Sequence, residues 1–198
     1  MVTRQRRPRR YTQGARAESA AATQRRILEA AIALVGRLPY EALTLAQVAE
    51  EAHVTVQTVL RRFGSKEGLT EAATVLGVQQ VRQTRLAATP GDVPAGMAGL
   101  AAHYEAWGER SLNLLAQERT VPAVRRITDA GRALHHAWVD QVFTPCLAGL
   151  PAPVQARKRA ALIAATDVFV WKVLRLDLSL DARACAQVMR ELVAGVLD

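Results

Sequence analysis

Five polar side chains within ten residues have the chemistry needed to bind nucleic acid. Gln57 can form two hydrogen bonds with adenine, and Arg61 or Arg62 can do the same with guanine. The methyl group of Thr58 can contact the methyl group of thymine, and Lys66 can place a positive charge beside a phosphate. A face of Gln, Thr and Arg is also common on an ordinary solvated helix. Whether these side chains bind nucleic acid therefore depends on the elements that position them.

The spacing of apolar residues in 55–63 predicts a helix, although β-branched side chains are frequent there and favour strands. On a helix, Val56, Val59, Leu60 and Phe63 recur at i, i+3, i+4 and i+7 and form one buried stripe. A strand would mix apolar and charged side chains on each of its faces. The helical interpretation places the polar side chains together on the opposite, exposed face.

A second short helix precedes this one, and the pair predicts a helix-turn-helix unit. Thr44 is suited to the N-cap, and Gln47 follows three residues later, as a capping box requires. Thr55 can cap the helix over residues 56–63. The turn of three to four residues between the two helices is the length that a helix-turn-helix motif uses.

The next helix begins beside these two and supplies a possible phosphate site. Ser65 is suited to its N-cap, and free backbone N–H groups at a helix N-terminus attract a phosphate. The predicted DNA contacts lie at the starts of these three helices or on the helix over residues 56–63. They are Thr44, Gln47, Thr55, Val56, Gln57, Thr58, Leu60, Arg61, Arg62 and Lys66.

Positive charge is concentrated in the same third of the chain. The 198 residues carry a formal net charge of +8. Residues 1–66 contain twelve Lys and Arg but five Asp and Glu, a net charge of +7. An anionic partner for the N-terminal part is therefore expected. Residues 1–17 are basic and poor in apolar side chains, which predicts a disordered arm, with or without a binding role.

The remaining sequence predicts an all-α fold, because helical periodicity recurs and no strand pattern competes with it. Pro and Gly breaks separate the segments. The first helix of the folded part is expected from Ser19 to near Arg37. Later helices are expected over residues 66–87, 92–117, a short one from 121, 129–147, 153–175 and 182–197.

Several classes of protein are disfavoured by what the sequence contains. Cys146 and Cys185 stand far apart, which suits neither a disulfide framework nor a metal site and indicates a reducing, cytoplasmic location. No signal peptide or membrane span is expected. Catalytic serine motifs, spaced metal ligands and glycine-rich phosphate loops are not evident, so we expect no enzyme, metal or cofactor.

Residues 27–69, "ILEAAIALVGRLPYEALTLAQVAEEAHVTVQTVLRRFGSKEGL", resemble the N-terminal domain of the TetR family of transcriptional regulators. The likeness lies in the "IL-x-AA-x-x-L" helix, the Thr before the second helix, and the final "F-x-S-K-E-x-L" pattern. It covers roughly residues 20–75. Two positions differ from the family pattern. His53 replaces a usual Gly, which matters if φ is positive there, and Leu60 replaces a usual Tyr that reaches a phosphate.

The resemblance implies a homodimer that binds a palindromic double-stranded operator. The family pairs its last two helices with their copies in a four-helix bundle; a purely intramolecular core is the alternative. The segment 162–174 is apolar nearly all round, so it needs neighbours on every side. The predicted interface residues are Phe169, Val173, Cys185, Val188, Met189, Leu192 and Val196.

The resemblance also implies a cavity for a small effector among the central helices. Aromatic and Met residues there could equally be plain core, and Asp167 could serve as a cap or ion-pair partner. The lining would be mainly apolar. The predicted ligand-binding residues are Met97, His103, Tyr104, Trp107, Trp138, Phe143 and Asp167.

The sequence therefore predicts three regions and one preferred function. The regions are the arm (1–17), the helix-turn-helix domain (18–75) and a helical effector-binding and dimerisation domain (76–198). The preferred function is a repressor that a largely apolar ligand releases from DNA. The alternatives are a non-specific nucleic-acid-binding or chromosome-organising protein and, less favoured, a helical enzyme.

Overall fold

The computed structural model describes residues 10–86 and 89–198, with side chains from residue 18 onward. These residues form nine α-helices and no strand. Their bounds are α1 Arg10–Val35, α2 Leu45–Glu51, α3 Val56–Phe63, α4 Lys66–Arg85, α5 Val93–Gln117, α6 Pro122–Leu147, α7 Ala152–Ala165, α8 Val168–Lys172 and α9 Ala182–Leu197. The predicted all-α class is confirmed.

The first helix begins earlier than predicted. Residues 10–17, expected in the disordered arm, form the start of α1. The helix is favoured by the Ala, Gln and Glu residues between positions 13 and 24, which have high helix propensity. Residues 1–9 of the predicted arm lie outside the described residues, as does Ala87, the predicted end of the fourth helix.

Two helix boundaries in the second half also differ from the predictions. The predicted break between residues 121 and 129 is absent, and α6 runs unbroken from Pro122, because proline is tolerated at the first helical position. The helix predicted over 153–175 is instead divided at Thr166. Asp167 caps the new helix α8, with Oδ1 accepting the Phe169 N–H at 2.9 Å. A five-residue π-helical turn, Val173–Asp177, continues α8.

Two apolar cores lie at the two ends of α4. The N-terminal core is built from α1 to α4 around fully buried Ile27, Val48, Val59 and Leu69. The C-terminal core is larger and joins α5 to α9. Because α4 packs against α1 and α3 at one end and against α5 and α6 along its length, it connects the two parts of the molecule.

Close approach of helices fixes α8 against α5. A Cβ added to Gly108 would lie 2.4 Å from the Trp171 ring, so only glycine allows this contact. The Trp171 indole N–H also donates to Glu105 Oε1 at 3.0 Å. These contacts hold Asp167 and Val168 at the wall of the cavity described below.

The described residues include no helix with the length and apolar character needed to cross a membrane. They also include no group of three or more His, Cys, Asp or Glu side chains placed to hold a metal ion.

Candidate DNA-binding surface and ligand cavity

The predicted capping residues build the helix-turn-helix unit. Thr44 Oγ1 accepts the Gln47 N–H at 3.2 Å, and Gln47 Oε1 accepts the Thr44 N–H at 2.8 Å. This reciprocal pair confirms the capping box. Thr55 and Ser65 cap α3 and α4 through the N–H groups of Thr58 and Gly68, as predicted. The side-chain oxygens of Thr44, Gln47 and Thr55 therefore act first in positioning the helices.

The turn between α2 and α3 requires a left-handed residue, and that residue is His53. Its φ is +53°, so the replacement of the usual glycine by histidine does place a side chain in the left-handed region. The His53 N–H donates to Glu50 O at 3.0 Å, and the Val54 N–H donates to Ala49 O at 2.9 Å. These two bonds form a Schellman motif, which ends α2 and sets the direction of the chain into α3.

Helix α3 is rotated relative to the predicted stripe. Val59 is fully buried, but Val56 and Leu60 are 38% and 37% exposed, so the prediction that both are buried is wrong. The short helix packs on the core through Val59 and partly buried Phe63, and this leaves Val56 and Leu60 at the border of the exposed face. They lie beside Gln57 and Arg61, where apolar groups could contact thymine methyls.

The exposed face of α3 has two polar side chains that are not engaged elsewhere. Gln57 and Arg61 are exposed, and neither makes a side-chain hydrogen bond or ion pair within the parts of the chain that the structure covers. Thr58 is half-buried and its hydroxyl lies 2.9 Å from Thr55 Oγ1. Arg62 is also half-buried, with its Nε enclosed and without a partner. Gln57 and Arg61 are thus the best-placed side chains for base contacts.

Lys66 is engaged inside the protein rather than displayed to solvent. Its ammonium donates to Tyr40 O at 2.5 Å and lies 4.3 Å from the centroid of the Tyr40 ring. Burial lowers the pKa of Lys66. Beside it, the pKa of Glu67 is lowered by its own backbone N–H and by the Ser65 hydroxyl, so this carboxylate already occupies the start of α4. A phosphate contact by Lys66 would require it to leave Tyr40.

Tyr40 links the DNA-binding end to α5 and α4. Its N–H donates to Gln117 Oε1 at 2.8 Å, and its hydroxyl lies 3.4 Å from Thr70 Oγ1. The Asn113 amide makes a further contact with Leu38 O at 3.4 Å. The segment between α1 and α2 is therefore held by side chains of α4 and α5.

A cavity of about 350 Å³ lies between α1, α4, α5, α6 and the start of α8. Its size suits one small organic molecule. The predicted ligand residues His103, Tyr104, Trp107 and Asp167 line it. The prediction is wrong for the three others, because Met97, Trp138 and Phe143 belong to the buried C-terminal core and do not reach the cavity wall.

Sequence reasoning missed the most unusual group in the cavity, Arg85. This arginine is only 5% exposed, and its terminal nitrogen lies 3.0 Å from His135 Nδ1. Its guanidinium carbon lies 4.7 Å from the centroid of the Trp138 ring. The sequence contains no local signal for this cluster, since residues 85 and 135 are brought together only by the packing of α4 on α6.

Burial dominates the ionisation of the polar groups around the cavity. It lowers the pKa of His103 to about 3 and that of His135 to about 4, with the charge of Arg85 as the next cause. It also raises the pKa of Tyr104, whose hydroxyl donates to Thr166 O at 2.8 Å. Both histidines and the tyrosine are therefore neutral near pH 7.

Apolar side chains remain exposed on α8, the π-helical turn and α9. Of the predicted interface residues, Phe169, Val173 and Leu192 are 53%, 46% and 44% exposed. Cys185 and Met189 are 1% exposed and belong to the core of their own chain, so their placement at an interface is wrong. Val188 and Val196 are half-buried against the same core. We define the α8–α9 surface as the exposed residues Phe169, Val173, Leu176, Leu178 and Leu192. Phe169 also lines the cavity, and Leu176 and Leu178 were not among the predicted interface residues.

Comparison with known proteins identifies similar sequences and folds. Residues 27–73 match the family model described as bacterial regulatory proteins, tetR family. Fifty residues are 44% identical to the uncharacterized HTH-type transcriptional regulator YvkB of Bacillus subtilis (strain 168). That match spans 25% of this chain and 26% of the length of YvkB, so the likeness is confined to about a quarter of either protein.

The likeness in structure extends over most of the chain. A crystal structure of a transcriptional regulator from Rhodococcus sp. RHA1 superposes with a TM-score of 0.67 at 16% identity, covering 88% of this chain and 95% of that one. A TetR transcriptional regulator from the same organism gives 0.50 at 19% identity, covering 89% and 97%. At such identities these structures show a shared fold.

Proposed function

We propose that the chain, whose residues 27–73 match the tetR family model and which resembles an HTH-type transcriptional regulator over fifty residues, belongs to the TetR family of transcriptional regulators. On this premise it is a dimeric repressor that binds a palindromic operator. A small organic effector in the cavity releases it from DNA. The protein acts in the cytoplasm, where its DNA target lies. The family is one of regulators rather than enzymes, so no catalytic role is proposed.

The observation that carries the DNA-binding proposal is the free polar face of α3. Gln57 and Arg61 are exposed there and engaged by no other side chain of the described residues, while Thr55 caps the helix that presents them. Gln and Arg are the side chains that read adenine and guanine in the major groove. Leu60 has no hydroxyl to donate to a phosphate, so its contribution is apolar. The caps Thr44 and Thr55 position the backbone of α2 and α3 beside this face, and half-buried Arg62 lies on the same helix.

The α8–α9 surface supports a dimer. Five large apolar side chains are exposed on neighbouring elements at the C-terminal end. Large exposed apolar patches mark surfaces that another protein covers. A second copy is the occupant we propose, because a twofold dimer places two α3 helices on one face of DNA, about one turn apart.

Helix α4 provides a route from the cavity to the DNA-binding end. Thr70, Thr74, Val81 and Arg85 on this helix line the cavity. Thr70 also contacts the Tyr40 hydroxyl, and Lys66 at the start of α4 binds Tyr40 O. A ligand that shifts α4 would therefore move the support of the helix-turn-helix unit. Since the spacing of two α3 helices must match two half-sites, such a shift lowers DNA affinity by linkage.

Selection of bound sequences from a random DNA pool tests the proposal. A specific regulator enriches one palindromic motif, whereas a non-specific nucleic-acid-binding protein binds with steep salt dependence and enriches none. A reporter gene under the selected operator then separates repression from activation. Failure to enrich any motif would refute sequence-specific regulation by this chain.

A further inference from the structure

The cavity contains a buried cation without a counter-ion. Arg85 lines the cavity, is 5% exposed and has no partner for its buried Nε. A guanidinium remains protonated in proteins, and buried charges are costly unless they are paired. Within the described residues, no carboxylate lies at ion-pair distance from Arg85.

The groups that do contact Arg85 are neutral. The guanidinium can only donate, so His135 Nδ1 accepts this bond and His135 Nε2 carries the ring proton. Nε2 lies 3.3 Å from Ile163 O, which accepts that proton. The other contact is the face of the Trp138 ring, which attracts a cation without neutralising it.

The other charged groups around the cavity are already committed. Asp167 Oδ1 caps α8, and Glu118 Oε2 accepts the Thr128 hydroxyl at 2.6 Å and pairs with Arg132. Arg110 stacks over Trp107. The last carbonyls of α4 partly offset the charge of Arg85, because this residue lies in the final turn, but a helix end supplies only about half a charge.

We propose that the effector is a small organic anion and that Arg85 holds its carboxylate. The inference rests on the proposed function in treating the cavity as an effector site. Neutral His103 beside Arg85 can donate a further hydrogen bond to the bound oxygen atoms. The rest of the lining is mainly apolar, with Val78, Val81 and Leu134 facing the same space. The effector therefore carries one anionic end on an apolar body that fits within about 350 Å³.

Matched pairs of acids and amides test the charge requirement directly. The probes are phenylacetate, 1-naphthaleneacetate and decanoate, each compared at pH 7 with its primary amide by isothermal titration calorimetry on the full chain. Each pair has the same body and differs in the negative charge. A charge-assisted hydrogen bond predicts that at least one acid binds about tenfold or more tighter than its amide.

Two variants test whether Arg85 causes the preference for an acid over its amide. Arg85→Gln removes the charge but keeps a donor for His135, so the acid should bind no tighter than its amide. Arg82→Gln removes the same charge from an exposed residue one turn earlier on α4, and the preference should remain. Far-ultraviolet circular dichroism checks the fold of both. If Arg85→Gln does not fold, the comparison of acids and amides on the unmodified chain decides alone.

The outcomes separate this inference from the proposed function. The inference is overturned if no acid in the three pairs binds tighter than its amide, or if the preference survives in Arg85→Gln. The proposed function would be refuted, and the inference kept, if the chain prefers anions but selects no DNA sequence. Operator binding without an anion preference would keep the function and refute the inference.

Discussion

Replacement of His53 by glycine should stabilise the protein, because the turn after α2 forces this residue into the left-handed region. At φ +53° a residue with a Cβ is strained by about 1–2 kcal/mol, whereas glycine is not. Glycine loses more entropy on folding, by about 0.5–1 kcal/mol. Since both Schellman bonds use backbone atoms and stay in place, the net gain for His53→Gly is about 0.5–1 kcal/mol.

Thermal unfolding at fixed protein concentration measures this gain. For a chain of 198 residues, the expected rise in Tm is about 1–4 °C. His53→Ala is the matched control, since it also removes the imidazole but keeps the Cβ and its strain. The reasoning is wrong if His53→Gly is no more stable than His53→Ala. Ser179→Gly, at the second non-glycine residue of positive φ (56°) among the described residues, should show a gain of similar sign.

Three further perturbations follow from the contacts of the two ends of the molecule. Lys66→Ala should lower the free energy of unfolding by about 1–2 kcal/mol, since it removes the bond to Tyr40 O. If the slope of log DNA affinity against log salt concentration instead falls by about one, Lys66 contacts a phosphate. Acidification should destabilise the protein. The folded pKa values of His103 (about 3) and His135 (about 4) lie below the ordinary histidine value of 6.5, so the unfolded chain binds more protons on acidification. The stability that is present above pH 6.5 is therefore lost as the pH falls toward 4. His103→Gln should reduce this loss in urea titrations at pH 7 and pH 5, whereas a pH profile identical to the unmodified chain would contradict the buried, neutral histidine. Leu192→Glu should yield monomers in light scattering. Val75→Glu, at an exposed residue of α4 outside the α8–α9 surface, should leave the dimer intact. If Leu192→Glu still forms dimers, the interface lies elsewhere.

Local interactions explain why much of the DNA-binding end could be predicted. The caps Thr44, Thr55 and Ser65 act on N–H groups three residues away, so their spacing in the sequence is sufficient to locate α2, α3 and α4. Asp181 is the same kind of case, because its side chain accepts the Ala184 N–H and caps α9. The strained turn was also visible as a histidine in place of a glycine.

Contacts between distant segments explain the errors. Periodicity alone could not show that α3 packs on the core through Val59 and Phe63, so Val56 and Leu60 were placed on the wrong side. Asp167 was recognised as a cap candidate, but the division of the helix there is accompanied by contacts of Thr166 and Trp171 with α5 and of Thr166 with His135 of α6. Arg85 and His135 meet only in the folded chain.

Sequence selection with altered α3 residues tests the central claim most directly. The random-pool experiment is run on the unmodified chain, on Gln57→Ala and on Arg61→Ala. We predict that the unmodified chain enriches a palindrome with half-sites about 10 base pairs apart, and that each variant loses discrimination at one base position per half-site, worth about 1–3 kcal/mol. Variants that select the same motif with the same information at every position would contradict the assignment of Gln57 and Arg61 as the residues that read the bases.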